Sequence, residues 1–394
     1  MPTRRAALAP LLALCLPVLA AAQGVPPAVP VGPPAQPPPG AAAPAQPALT
    51  LYSAWSTELP AAPSGPPAFD AQYGFVPLRN GELAAVALDR GTLAWAAPVE
   101  ARAVAAGIGL VFLAGAESIE ARAAATGARG WAYAAGEALA PVLFFDGGWL
   151  LAATAAGDAL MLNAQSGALL WRQPLGAALG RQAVMTGDRV YLLLDDGRVT
   201  ARRLADGSMI WERKLGGRPT ALRALDDRVF VGAEDKYLYC LDASDGDQHW
   251  RWRAGGGVTG TPAVDAGRLY FVAFDNVLRA LNRGNGHLRW MRPLGFRPSD
   301  GPVLLGELLL VPTVSPDLAL FRADTGAPAG KVSAGAEPAA APHVLPGAAT
   351  AADMVLLVVT REGSIERLGP PPPPLLAKPL PGVPPYVSLA PTVP

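Results

Sequence analysis

Tryptophan recurs through this chain at a nearly fixed distance, at positions 55, 95, 131, 171, 211, 250 and 290. Four residues before each of the last six stands a glycine: Gly91, Gly127, Gly167, Gly207, Gly246 and Gly286. Gly326 continues that series, with Gly330 where the next tryptophan would fall. Ten residues before each of these seven glycines comes a turn-prone position: Gly81, Glu117, Gly157, Gly197, Lys236, Asn276 and Pro316. Two markers locked together at a period near 40 residues describe a repeated supersecondary unit, and few folds accept such a unit.

Each unit reads as four strands. "GTPAV" is a short inner strand, and "GRLYFVAF" is an apolar strand buried on both faces. "DN" turns into "VLRALN", and "RGNG" turns into "HLRWMRPL", a strand that alternates more weakly. Short strands and tight turns at this spacing predict an all-β fold, and four strands per 40 residues predict a β-propeller. Three-strand groups begin near residues 69, 104, 140, 182, 220, 261, 302 and 342. Fourth strands fall near 55, 95, 131, 171, 211, 250, 290 and 330. The first fourth strand has no group before it and the last group runs into prolines. The expectation is an eight-bladed β-propeller of four-stranded blades, its ring closed by the N-terminal strand completing the last blade. A seven-bladed ring is the alternative, because "PGAATAAD" makes the last group irregular.

The flanks differ from the repeat. Arg4 and Arg5, an apolar stretch and "AAAQ" make residues 1–22 a signal peptide. Residues 23–48 form a proline-rich disordered linker, residues 49–369 the propeller, and residues 370–394 a second proline-rich disordered tail. Leu14 before Cys15 argues against lipid attachment there, and leaves Cys240 as the one cysteine of the exported chain. Such a chain has no internal disulfide framework, so packing must hold it. Lys+Arg and Asp+Glu balance at 32 each, which gives no reason to expect a nucleic-acid partner. No later stretch predicts a transmembrane segment.

"LDASDGDQHW", "LNRGNGHLRW" and "LNAQSGALLW" resemble the signature of the PQQ-like β-propeller repeat family. That family includes quinoprotein dehydrogenases and the non-catalytic assembly factor BamB of the outer-membrane β-barrel assembly machinery, which the chain resembles most. The resemblance implies that Trp95, Trp131, Trp171, Trp211, Trp250 and Trp290 pack between neighbouring blades, with Trp55 in the same structural series. Quinoprotein dehydrogenases of the family carry an adjacent cysteine pair, a metal-binding Glu–Asn–Asp set and long insertions. Here the blades are almost bare at 40 residues each.

The chemical alternatives are weak in sequence. A calcium loop started at Asp242 fails at Gly246 and Arg253. His249, His287 and His343 occupy unrelated registers, so no histidine metal site is expected. Cys240 shares its register with Met161, Ala201, Ala280 and Leu320, which predicts an inert buried thiol. The acidic pairs Asp195-Asp196 and Asp226-Asp227 read as turns. No catalytic, cofactor-binding or metal residue is assigned, and no cofactor is expected. Arg251, Arg253, Arg289 and Arg292 form a basic stripe on outer strands and are the candidate partner-binding residues. The expected protein is a monomeric, non-catalytic scaffold for protein–protein interaction. Its expected place is the periplasm, peripheral to the outer membrane, among the proteins of envelope assembly. The alternatives are a PQQ-dependent dehydrogenase and a secreted or cell-surface interaction module.

Overall fold

A computed structural model of the chain describes residues 51–225, 227–345 and 353–370. The expected signal peptide, the linker and the tail beyond residue 370 lie outside them.

The described residues form eight four-stranded antiparallel sheets, seven of them with their strands in chain order. Blades 1 to 7 begin at Ala68, Ala103, Leu139, Leu179, Pro219, Val258 and Val303. Blade 5 is representative: Pro219–Ala224, Arg228–Ala233, Tyr237–Asp242 and Gln248–Arg253, from the inside outward. The eighth sheet combines His343–Val344, Leu356–Val359 and Ser364–Gly369 with the N-terminal strand Tyr52–Glu58. Tyr52 lies opposite Gly369 and Glu58 opposite Ser364. The ring is therefore eight-bladed and closed as the repeat predicts. Closure gives every blade a neighbour on both sides, so no apolar blade face is left open at the ends of the repeat.

The core lies between the blades. Eight apolar clusters occur, each shared by two neighbouring blades. Side chains alternate along a strand, so one strand feeds two clusters. Val229 and Val231 pack toward blade 4, whereas Phe230 between them packs toward blade 6. That is why the second strands read as unbroken apolar runs rather than alternating ones.

The two sequence markers meet at each interface. The indole N–H of Trp171 donates to the Leu204 carbonyl at 2.8 Å, and Leu204 stands three residues before Gly207. The same bond joins Trp95 to Ala124, Trp131 to Ala164, Trp211 to Ala243, Trp250 to Arg283 and Trp290 to Ala323. Each indole lies over the turn glycine of the next blade. A Cβ on Gly246 would stand 2.6 Å from the Trp211 ring, and its φ of +77° disfavours a side chain as well. Glycine is thus required twice over at this position.

Blade 7 departs, with Gly330 in the tryptophan's place opposite Leu320. The reason lies in the next blade. Blade 8 has no turn between its third and fourth strands, because the ends of the repeat meet there, so no turn glycine waits for an indole. On the other side of the seam Trp55 covers Gly91, but its buried indole N–H has no hydrogen-bond partner among the described residues.

The weak alternation of the outer strands has a physical cause. Each carries a register shift just before the tryptophan position, as where Cys240 pairs with Trp250 but Leu241 with Gln248. The residue left out of the ladder is His249 in blade 5 and Arg289 in blade 6. A bulge there turns the indole toward the next blade and its neighbour outward.

Truncating Trp171 to alanine should cost about 3–5 kcal/mol, and Gly207→Ala should also destabilise by driving a Cβ into the same ring. The two changes remove opposite sides of one contact, so the double variant should cost less than their sum in urea melts. Additive losses would show that the ring and the glycine act independently.

Candidate functional site

The third-to-fourth-strand turn of blade 5 gathers Asp242, Ser244 and His249. Asp242 ends its strand, and its Oδ1 accepts the Ser244 amide at 2.8 Å and the Ser244 hydroxyl at 2.6 Å. The Asp242 Oδ2 lies 3.0 Å from His249 Nε2. The aspartate therefore stands between serine and histidine. The serine hydroxyl donates to a carboxylate whose lowered pKa makes it a poor base, and the imidazole does not reach the serine, so the group is a turn and not an activated nucleophile. The Ser244 hydroxyl and amide, and then His249, hold the Asp242 carboxyl down at about 2. Those same bonds occupy the oxygens a calcium loop would need.

Cys240 is fully buried, and burial pushes its thiol up to about 12. Met161, Ala201, Ala280 and Leu320 are buried at the same register, in agreement with a core position. His343 stacks on Phe69 with ring centres 4.5 Å apart, and burial lowers its pKa. His287 is exposed beside its turn. Among the described residues no three His, Cys, Asp or Glu side chains group as metal ligands. Asp196 caps a turn, accepting the Arg198 amide at 3.1 Å and its guanidinium at 2.6 Å. Asp226 lies outside the described residues.

The arginine stripe divides. Arg251, Arg253 and Arg289 are exposed on the outer strands of blades 5 and 6. Arg251 stacks 4.6 Å over the Tyr237 ring of its own blade. Arg292 instead donates from Nε to the Gly326 carbonyl of blade 7 at 2.8 Å. Gln173 and Arg213, likewise two residues after their tryptophans, donate to Asp206 and Gly246 of the following blades at 3.1 and 3.0 Å. This second interblade bond is made by different residue types, so the sequence did not announce it.

The channel wall is a different surface. A cavity of about 180 Å³ opens between the inner strands of blades 3 to 6, lined by Phe144, Gln182, Val184, Leu222, Arg223 and Thr261 among others. It is smaller than the roughly 300–1,000 Å³ of ordinary cofactor pockets. No carboxylate lines it. A quinone with its bound calcium does not fit this lining, which is too small for the quinone and offers the ion no carboxylate.

Comparison with known proteins agrees with the geometry. The family model described as outer membrane protein assembly factor BamB matches residues 52–184 and 216–344. No curated protein matches the chain. Among solved structures, the computationally designed Ika8 protein superposes with a TM-score of 0.64 at 13% identity, covering 79% of this chain and 99% of that one. Quinohemoprotein alcohol dehydrogenase from Comamonas testosteroni gives 0.64 at 13% identity, covering 82% of this chain and 77% of the other. BamB from Moraxella catarrhalis gives 0.47 at 17% identity, covering 69% and 97%. At these identities the likenesses speak to the fold alone, and the last superposition is too loose to carry argument.

Two outcomes follow from the turn and the thiol. Asp242 has a folded pKa below its ordinary value of ~3.9, so it contributes stability above about pH 4 that is lost as pH falls toward 2. A carboxyl NMR titration should place it near 2, and Asp242→Asn should flatten that part of the acid limb. Cys240 should resist a disulfide reagent in the native state and react fully in urea. Rapid native labelling would contradict the buried position.

Proposed function

Because the chain belongs to the PQQ-like β-propeller repeat family described as outer membrane protein assembly factor BamB, we propose that it is an exported, non-catalytic scaffold in outer-membrane protein assembly. The family match across both halves of the ring carries this reading. The economy of the blades supports it. Four residues connect blades 1 to 2, 2 to 3, 3 to 4, 4 to 5 and 5 to 6, and nine connect the others. Such connectors leave little chain to build a chamber over the channel. They suit a rigid platform whose loops and rim meet other proteins.

The seam gives the platform an orientation. Tyr52 and Gly369 lie opposite each other where the other blades turn from third to fourth strand. The two ends of the described ring thus lie on one face, at the rim of blade 8. The opposite face and the outer strands of blades 5 and 6 are the proposed partner surfaces. Arg251, Arg253 and Arg289 are the proposed contacts there, with Arg292 holding the blades together beside them. The proposed location is the periplasm, bound peripherally to the outer membrane. Among the described residues no helix is long and apolar enough to cross a membrane.

Photo-crosslinkers at positions 253 and 289 in the native envelope should capture components of the β-barrel assembly machinery. Charge reversal at Arg251, Arg253 and Arg289 together should reduce the yield without changing the melting temperature. Failure to enrich any assembly component would sink the scaffold reading. Reduction of an artificial acceptor by the purified protein with PQQ, calcium and an alcohol would replace it with the dehydrogenase.

A further inference from the structure

One arrangement in the channel wall is not demanded by blade packing. The inner strand Leu179–Thr186 leaves its ladder between Leu179 and Ala183, and Gln182 falls in that irregular stretch. From there its side chain reaches both of the next two blades. Its Oε1 accepts the Leu222 amide of blade 5 at 2.6 Å, and its Nε2 donates to Thr261 Oγ1 of blade 6 at 3.2 Å.

These two bonds fix the orientation of the Gln182 amide. A backbone N–H can only donate, so the oxygen of Gln182 must face Leu222 and the nitrogen must face Thr261. The Thr261 hydroxyl then accepts from Gln182, and its own hydrogen is left to donate. One Nε2 hydrogen of Gln182 is left as well. Arg223 lines the same cavity and is exposed; its backbone pairs with Phe230, but its guanidinium makes no hydrogen bond or ion pair with another described residue. Its guanidinium adds up to five donors and no acceptor.

The polar side chains of this cavity thus offer donors, and one of them carries a full positive charge. Arg181, next to Gln182 in the chain, is a second exposed positive charge on the same strand. Asp300, a part-buried acid beside Thr261, is turned to the backbone amides of Gly301 and Thr261, and burial raises its pKa. Asp146 is exposed at the end of the strand that carries Phe144. Phe144, Val184 and Leu222 supply apolar wall. A volume of about 180 Å³ admits only a molecule of a few heavy atoms. We infer that this cavity is a binding site for a small aliphatic carboxylate, its oxygens on Arg223, Thr261 and Gln182 and its hydrocarbon part against Phe144 and Val184.

Isobutyrate is a suitable probe, titrated calorimetrically into the full-length protein at low salt, with isobutylamine and inorganic phosphate as controls. Saturable isobutyrate binding below about 10 mM is expected, with no heat from the amine. Arg223→Gln should weaken it ~tenfold or more, and Thr261→Val several-fold, because each removes a donor. Arg223 is exposed, so its variant should melt like the parent. If Thr261→Val unfolds, Arg223→Lys gives the second reading, keeping the charge while losing the fork and binding between the parent and Arg223→Gln. The assignment is overturned by absent binding, by equal affinity in Arg223→Gln, by binding of isobutylamine, or by phosphate binding as tightly as isobutyrate. This result is independent of crosslinking to the assembly machinery.

Discussion

The contact on which the ring depends is an indole laid across a glycine. It joins a residue at the middle of one blade's outer strand to the last turn of the next, and its N–H closes onto a carbonyl three residues before that glycine. Apolar burial, close backbone approach and one hydrogen bond act together, each needing the others. Since every core cluster is shared, no blade has an interior of its own. A blade separated from its neighbours would expose both faces of its strands, so stability belongs to the ring and passes from interface to interface.

That dependence explains the irregularities. Gly330 is not a decayed repeat but the consequence of a neighbour that has no turn to cover. The orphaned N–H of Trp55 marks the other side of the same seam. Arg202, by contrast, is an expense inside the ring. It occupies a position held by Leu162, Leu241 and Leu281 in other blades, almost wholly buried, with its guanidinium bonded to the carbonyls of Gly207 and Pro174. Burial lowers its pKa, against the opposing pull of the Glu212 carboxylate. It ties blade 3 to blade 4 by donors where those leucines use apolar area.

Much of this was legible in the amino acids because the unit repeats. The tryptophans, glycines and apolar second strands recur in register, and seven copies make a pattern that one copy could not. Cys240 is the clearest gain, since register alone groups it with the core residues of other blades. What the sequence concealed is whatever does not recur. The bond of Arg292 to Gly326 uses glutamine at position 173 and arginine at 213, so no residue type marks it. The bulges shift the alternation by one residue, which leaves the outer strands looking merely irregular. Gln182 meets Thr261 across 79 positions of chain, and no local signal predicts a contact at that range. The candidate site was therefore much less readable than the fold.

The pairing of Tyr52 with Gly369 has a topological consequence. Where two ends of a repeat lie side by side, the order in which the blades are read is a matter of where the chain is cut. Joining residues 52 and 369 through a short turn and opening another outer turn would give a circular permutant with the same set of sheets. The seam would travel with the cut. The blade now ending in Gly330 would then face a complete turn and could receive a tryptophan, while the blade before the new opening would lose its partner for one. The missing indole is thus a record of where this ring is fastened.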